Sequence, residues 1–172
     1  IWKIINIFKY IDYLSFFGEK NQHMDLKVGR KNIKNKEINI KNMINQKKNI
    51  LLKVDIEGGE YEILKDIKFY SKRISCLIIE FHEIKKNLKK IYNFINNIKD
   101  LKSVHIHCNN INKLDKYGYP YAIEITFINV KRIKYEKISN FKNYPISGLD
   151  FPSVKRNDDI KINFIWNIYE KN

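Results

Sequence analysis

The chain has 172 residues, the length of one ordinary domain, and 44% of them are hydrophobic, which excludes an intrinsically disordered chain. Two cysteines without zinc-knuckle spacing exclude a disulfide-stapled scaffold, and we expect a globular, cytoplasmic protein. The formal net charge is +14, but Lys supplies 29 of the 33 basic residues and Arg only 4.

Base composition explains much of this charge, because Lys, Asn and Ile share A/T-rich codons. Specific nucleic-acid contacts depend largely on Arg, so no specific nucleic-acid partner is expected. No stretch reaches the ~20 uncharged apolar residues of a membrane span, and we predict no transmembrane segment.

Residues 1–49 are predicted to form an N-terminal helix followed by a polar segment. Within residues 1–17, one helical face carries apolar side chains, which predicts a helix packed on its own domain or, alternatively, lying on a membrane surface. These side chains are Ile1, Ile4, Ile5, Phe8 and Ile11. A short strand is predicted over Met24–Val28 and a helix over Ile40–Gln46. The first residue is Ile1 rather than Met, which favours a fragment or a processed form.

From residue 50 onward the pattern alternates between strands and helices. The apolar run Ile50–Ile56 predicts a strand, which a Gly58-Gly59 turn joins to a helix over Glu60–Ile67. A second strand is predicted over Ile74–Phe81, and an amphipathic helix over Ile84–Ile98.

Two further strands, Val104–His107 and Ala122–Val130, are joined by a connection too short for a crossover helix, so they should be antiparallel neighbours. A last strand is predicted over Ile160–Ile168. The fold class expected is therefore α/β, with a mostly parallel sheet and an antiparallel pair at one edge.

Polar side chains follow three successive predicted strands. Because ligands bind beyond the carboxyl ends of parallel strands, these groups should line one rim of the sheet. They are Asp55 and Glu57, Glu80 and His82, and His107, Asn109 and Asn110.

The same residues also have structural interpretations. Glu57 and Glu60 would lie in the first turn of a helix, where the macrodipole favours carboxylates by ~0.3–1 kcal/mol. Gly58 would permit a tight turn. His105 is expected to pack in the structure, facing away from His107.

The predicted rim suits three tasks: holding a divalent metal, acting as a general base, or binding a hydroxylated substrate. The sequence contains no nucleophile elbow, P-loop, HExxH or GxGxxG motif.

The segment Leu52–Leu64, reading LKVDIEGGEYEIL, resembles the FkbM family of S-adenosylmethionine-dependent methyltransferases. The similarity continues through Cys76–His82, which ends in E-x-H, and through Val104–Asn110 and Ile123–Phe127. Leu149–Pro152 is similar to a late L-D-x-P segment of the family. In all, the resemblance covers roughly residues 50–165.

This resemblance implies part of a class I methyltransferase sheet, which is Rossmann-like, with S-adenosylmethionine as cofactor. The acceptor would be a hydroxyl of a sugar or another small metabolite. Asp55 would lie beside the cofactor's methyl group, with Gly58 also at the cofactor, and no metal is assigned. The implied catalytic residues, which would orient the acceptor and take up its proton, are Asp55, Glu57, Glu80, His82, His107 and Asn109.

Enzymes of this class bind the cofactor largely through a glycine-rich loop after the first strand, and residues 1–49 contain no such loop. Residues 50–172 are therefore expected to be the C-terminal part of a methyltransferase-like domain, and whether this chain alone is active stays open. The alternatives are a non-catalytic domain that binds a carbohydrate or a protein, and a metal site built from Asp55, His82 and His107.

Overall fold

The computed structural model of the chain describes residues 21, 23–31, 33–132 and 143–163. The helix predicted over residues 1–17 lies outside these residues. No helix in the described part of the chain is long and apolar enough to cross a membrane.

Two short parallel strands open the described fold. They are β1 (Lys27–Gly29) and β2 (Glu37–Asn39), followed directly by the helix α1 (Ile40–Ile44). Asn39 caps this helix, because its side chain accepts a hydrogen bond from the backbone N–H of Asn42. The predicted strand and helix are both present, the first displaced toward Gly29 and the second shorter than expected.

The next four elements follow the predicted order. They are β3 (Ile50–Val54), α2 (Glu60–Tyr70), β4 (Ile74–His82) and α3 (Ile84–Asn97). A single 3₁₀ turn joins α2 to β4, and β3 and β4 pair in parallel.

The third and fourth predicted strands are β5 (Leu101–Cys108) and β6 (Ala122–Asn129), and they are antiparallel as expected. However, the strand order β3-β4-β6-β5 corrects the expectation of a mostly parallel sheet. The short connection after β5 brings the chain back antiparallel, and β6 then pairs with β4 as well. The sheet is mixed, with one parallel and two antiparallel pairings, and β6 separates β5 from β4.

The last described elements are two-residue strands, β7 (Asn143–Tyr144) and β8 (Ile162–Asn163), which pair antiparallel. The predicted last strand over Ile160–Ile168 is described as strand only at β8, and its residues from 164 onward lie outside the described part.

The core lies between α2 and α3 and one face of the four-stranded sheet. Successive residues of a strand point to opposite faces, and on β4 the buried Phe81 packs against the Phe94 ring of α3. Phe94 in turn contacts Phe127 of β6 edge-on, and Ile63 and Ile67 of α2 are fully buried in the same cluster. Glu80 and His82 alternate with these apolar residues, so the opposite face of the sheet carries the polar groups.

Candidate functional site

The turn between β3 and α2 has an unusual backbone. Glu57 and Gly58 both have positive φ, at 50° and 96°. The positive-φ region favours glycine, which explains Gly58 on conformational grounds. The Gly58 N–H donates to Glu60 Oε2 over 2.9 Å. The sequence-based interpretation of Gly58 as a turn residue therefore agrees with its backbone.

Glu60 is the first residue of α2, and its side chain is fully buried, with 0% exposure. Its Oε1 accepts the backbone N–H of His82 at 2.7 Å and lies 3.1 Å from His82 Nδ1. A buried carboxylate is costly unless it is paired and hydrogen-bonded, and here both oxygens have N–H partners. Glu60 thus links the end of β4 to the turn that follows β3.

His82 is held by α2 at more than one point. The Tyr61 hydroxyl donates to the His82 carbonyl, while Glu60 accepts from its amide. Burial, with the nearby Glu60 charge, raises the Tyr61 pKa above its ordinary value, so the hydroxyl stays protonated as a donor. The imidazole itself is 5% exposed.

The other imidazole nitrogen, Nε2, faces two carboxylates at the rim. It lies 3.4 Å from Glu57 Oε2 and 3.9 Å from Asp55 Oδ1. These two side chains are 82% and 40% exposed, so the cluster opens toward solvent. A buried imidazole with one nitrogen beside solvent-exposed carboxylates is suited to proton transfer.

The same three residues could hold a divalent cation, because one ligand atom from each lies within 4.8 Å of the others. The structure does not bring together Asp55, His82 and His107, the metal site that the sequence offered as an alternative. His107 lies on β5, and β6 and β4 separate it from β3. Its Nε2 instead contacts Asp159, at 3.1 and 3.2 Å from the two oxygens.

Glu80 and Asn109 form a separate pair further along the rim. The Asn109 amide donates to Glu80 Oε1 over 2.7 Å. Glu80 is opposite Glu124 of β6, which is opposite His107 of β5, so a polar row crosses the sheet. Lys53 donates to Glu124 at 3.4 Å and partly compensates the negative charge of this row.

Residues 143–163, which we call the C-terminal clasp, pack against the polar side of β5. His105 Nε2 lies 2.7 Å from Asp150 Oδ1, as His107 lies beside Asp159. The expectation that His105 and His107 face opposite ways is therefore wrong: residues two apart on a strand share a face. His105 does pack in the structure, as expected.

Asn110, predicted as a rim residue, binds the C-terminal clasp through side-chain hydrogen bonds. Its side chain accepts the Val154 N–H at 2.8 Å and donates to the carbonyls of Val154 and Asn157 at 3.1 and 3.0 Å. The side chain of Asn157 donates in return to the Asn110 carbonyl. This reciprocal pattern identifies Asn110 as a structural residue.

An open cavity of about 560 Å³ lies between the start of α3 and the loop before β6. Tyr121 lines this cavity, and its ring is edge-on to the His82 imidazole. Tyr117 lies beside the cavity, with Lys85 Nζ over its ring. The lining residues that carry aromatic rings or charges are Glu83, Lys85, Lys86, Lys113, Asp115, Tyr119 and Tyr121.

The predicted site residues therefore fall into three groups. Asp55, Glu57 and His82 come together, Glu80 pairs with Asn109, and His107 belongs to the clasp contacts. Sequence analysis missed the role of Glu60, although its place three residues after Glu57 in the Glu-Gly-Gly-Glu run was visible. It also missed Tyr61, Asp150 and Asp159, whose contacts depend on tertiary structure.

Comparison with known protein families gives a match. The family described as Methyltransferase FkbM domain matches residues 16–121, which is more than half of the chain. The matched range includes β1 to β5 and the residues at the ends of β3, β4 and β5 that line the rim. It begins well before residue 50, where the sequence resemblance starts. No curated protein and no solved structure matches the chain. The chain therefore belongs to the FkbM methyltransferase domain family, as its motifs predicted.

Proposed function

We propose that this chain acts in S-adenosylmethionine-dependent O-methylation of a sugar or another small hydroxylated metabolite. Membership of a methyltransferase family supports the reaction class. The observation that carries the proposal is the His82 imidazole, held on its buried side by Glu60 and turned toward Asp55 and Glu57 on its open side.

The residues that follow β3 fit the proposed cofactor. Asp55 offers a partly exposed carboxylate that can accept hydrogen bonds. No atom lies within 4 Å of the point where a Cβ of Gly58 would stand, so a ligand has room beside this turn. When bound, S-adenosylmethionine supplies a methyl group activated by its sulfonium sulfur. Asp55 and Gly58 are the residues we propose to hold it.

His82 is the proposed general base. Its Nε2 takes the proton of the acceptor hydroxyl as that oxygen gains the methyl group. Asp55 and Glu57 stabilise the imidazolium that results, because both carboxylates lie within 4 Å of Nε2. Holding the acceptor oxygen beside a fixed base also lowers the entropic part of the barrier.

The cavity beside Tyr121 has the size and the lining to bind a small polar acceptor. Its volume falls in the range typical of ligand sites, roughly 300–1,000 Å³. Tyr119, Pro120 and Tyr121 provide apolar faces on which a sugar ring can pack, and the charged side chains around them can bind hydroxyl groups. Glu80 and Asn109, further along the rim, are proposed to support the acceptor side of the site, and His107 to hold the C-terminal clasp through Asp159.

The test is a methyl-transfer assay with the 172-residue chain and S-adenosylmethionine labelled in its methyl group. Calorimetric titration of the cofactor comes first, and a panel of sugars and small alcohols follows. We expect cofactor binding in the micromolar range and an O-methyl product, identified by NMR.

The matched pair of variants is Asp55→Asn, which should abolish both binding and transfer, and Asp25→Asn, which changes an exposed acid that is not among the proposed site residues and should leave both unchanged. A chain that binds a sugar equally well with and without Asp55, and forms no methylated product, would be a non-catalytic binding domain instead.

A further inference from the structure

We infer that Glu60 is a positioning residue that fixes the tautomer of His82, with the proton on Nδ1 and the lone pair of Nε2 directed at the rim. The inference rests on the proposed function only where it assigns His82 as the base; the tautomer itself is a property of the chain.

The hydrogen bonds to Glu60 show which atom donates and which accepts in each contact. The Gly58 N–H donates to Oε2, and the His82 backbone N–H donates to Oε1. Both oxygens therefore act as acceptors, which is the arrangement of an ionised carboxylate. The remaining contact, 3.1 Å from Oε1 to His82 Nδ1, then requires the proton to lie on Nδ1.

Once Nδ1 carries the proton of a neutral imidazole, Nε2 must have the lone pair. That lone pair is what a general base needs. The opposite tautomer would place an N–H on Nε2, where Glu57 and Asp55 would accept from it and no base would face the acceptor. Without Glu60 these two carboxylates would favour that inactive arrangement.

Glu60 also fixes the distance between His82 and the turn that carries Glu57. One oxygen holds the end of β4, where His82 lies, and the other holds the turn that carries Glu57. Because the Glu60 side chain is fully buried, it does not contact substrate and acts only through its neighbours. The logic is that of a buried carboxylate orienting a catalytic imidazole.

The experiment measures the tautomer directly. Long-range ¹H–¹⁵N NMR of the ¹⁵N-histidine-labelled chain, recorded at rising pH until the imidazole signals no longer change, distinguishes a protonated Nδ1 from a protonated Nε2. We expect His82 as the Nδ1–H tautomer. Finding the Nε2–H tautomer in the unmodified chain would overturn the inference, and this result needs no variant to fold.

Variants then test the cause. Glu60→Met keeps the approximate volume but removes the acceptor, so we expect His82 to change to the Nε2–H tautomer. Glu60→Gln retains one oxygen for the two His82 donors and should preserve the Nδ1–H tautomer. Glu62→Met changes an exposed acid on the same helix and is the matched control. A folded Glu60→Met chain with an unchanged tautomer would contradict the inference.

Activity separates this inference from the proposed function. With a methylated acceptor in hand, Glu60→Met should lower kcat about 100-fold with KM changed less than about twofold, and Glu60→Gln should restore most of the rate. If the unmodified chain has the expected tautomer but methylates no acceptor, the proposed function fails while the tautomer assignment holds.

Discussion

The start and the end of the rim use the same pair of residue types in opposite ways. At the ends of β3 and β4, the buried carboxylate of Glu60 contacts His82 from the core side, and Nε2 is left facing the exposed acids. On β5, the carboxylates of the C-terminal clasp contact the Nε2 atoms of His105 and His107 from outside.

This difference distinguishes a candidate catalytic histidine from histidines that hold two segments of the chain together. An imidazole whose outer nitrogen faces solvent-exposed groups can exchange a proton with a ligand, whereas one whose outer nitrogen contacts Asp159 holds two segments together. The number of histidines at a sheet edge therefore says little about catalysis. What matters is which of the two ring nitrogens the protein itself occupies.

We expect the largest effect from a change of His82. His82→Asn keeps a side-chain N–H near the Nδ1 position for Glu60 but removes Nε2. We expect kcat for methyl transfer to fall about 100-fold or more, measured with methyl-labelled cofactor. His107→Asn removes the contact with Asp159 and should lower kcat less than about threefold. Equal losses in both variants would mean that the whole rim is one catalytic site.

The second test targets the clasp. Asn110→Ala removes the acceptor of the Val154 N–H and the donor to two carbonyls. We expect the free energy of unfolding to fall by about 1–3 kcal/mol, because these buried polar groups lose their partners, and urea unfolding measures it. Asn96→Ala, on the exposed side of α3, should stay within about 0.5 kcal/mol of the unmodified chain. A null result for Asn110→Ala would mean that the clasp is held by other contacts.

The third test uses two glycines with similar backbone but different surroundings. Gly58 at the site and Gly148 in the clasp have φ of 96° and 81°, and a Cβ would meet no atom within 4 Å at either. Each Gly→Ala change should cost about 1 kcal/mol from backbone strain alone, measured by thermal unfolding. Only Gly58→Ala should also lower methyl transfer, because it displaces the turn carrying Glu57. Similar loss of activity in both variants would contradict this separation.

A pH dependence of stability is expected at Cys108, on the side of the core near the C-terminal clasp. Burial, together with the Asp159 charge, raises the pKa of Cys108 from its ordinary value of 9.0 to about 12. The unfolded thiol ionises first, so its contribution to stability is complete below pH 9 and is lost as the pH rises toward 12. The unfolding midpoint between pH 8 and 10.5 should therefore fall more steeply for the unmodified chain than for Cys108→Ala. Parallel pH profiles would show that Cys108 contributes nothing to the slope.

Much of the fold was predictable because its signals are local. The apolar runs of β3 and β4 and the spacing of α2 and α3 follow from hydrophobic periodicity, which does not depend on distant residues. The insertion of β6 between β4 and β5 was not predictable in this way, because strand order depends on which edge is free when the chain returns.

The candidate site shows the same division. Asp55, Glu57 and His82 could be proposed from their positions after strands, since the carboxyl ends of neighbouring strands converge. Glu60 could not be separated from an ordinary helix-start acid, because its burial depends on β4 packing over α2. The partners of His105 and His107 are 45 and 52 residues away in sequence, and no local pattern indicates them.

The positive φ of Glu57 has a consequence for engineering. A residue with a Cβ in this region costs roughly 1 kcal/mol relative to glycine, so Glu57→Gly should make the protein more heat-resistant. The same change removes one of the two carboxylates beside His82. On the proposed mechanism, a screen that selects only for thermal resistance would therefore collect variants at this turn that have lost activity, and stability and catalysis would oppose each other at this position.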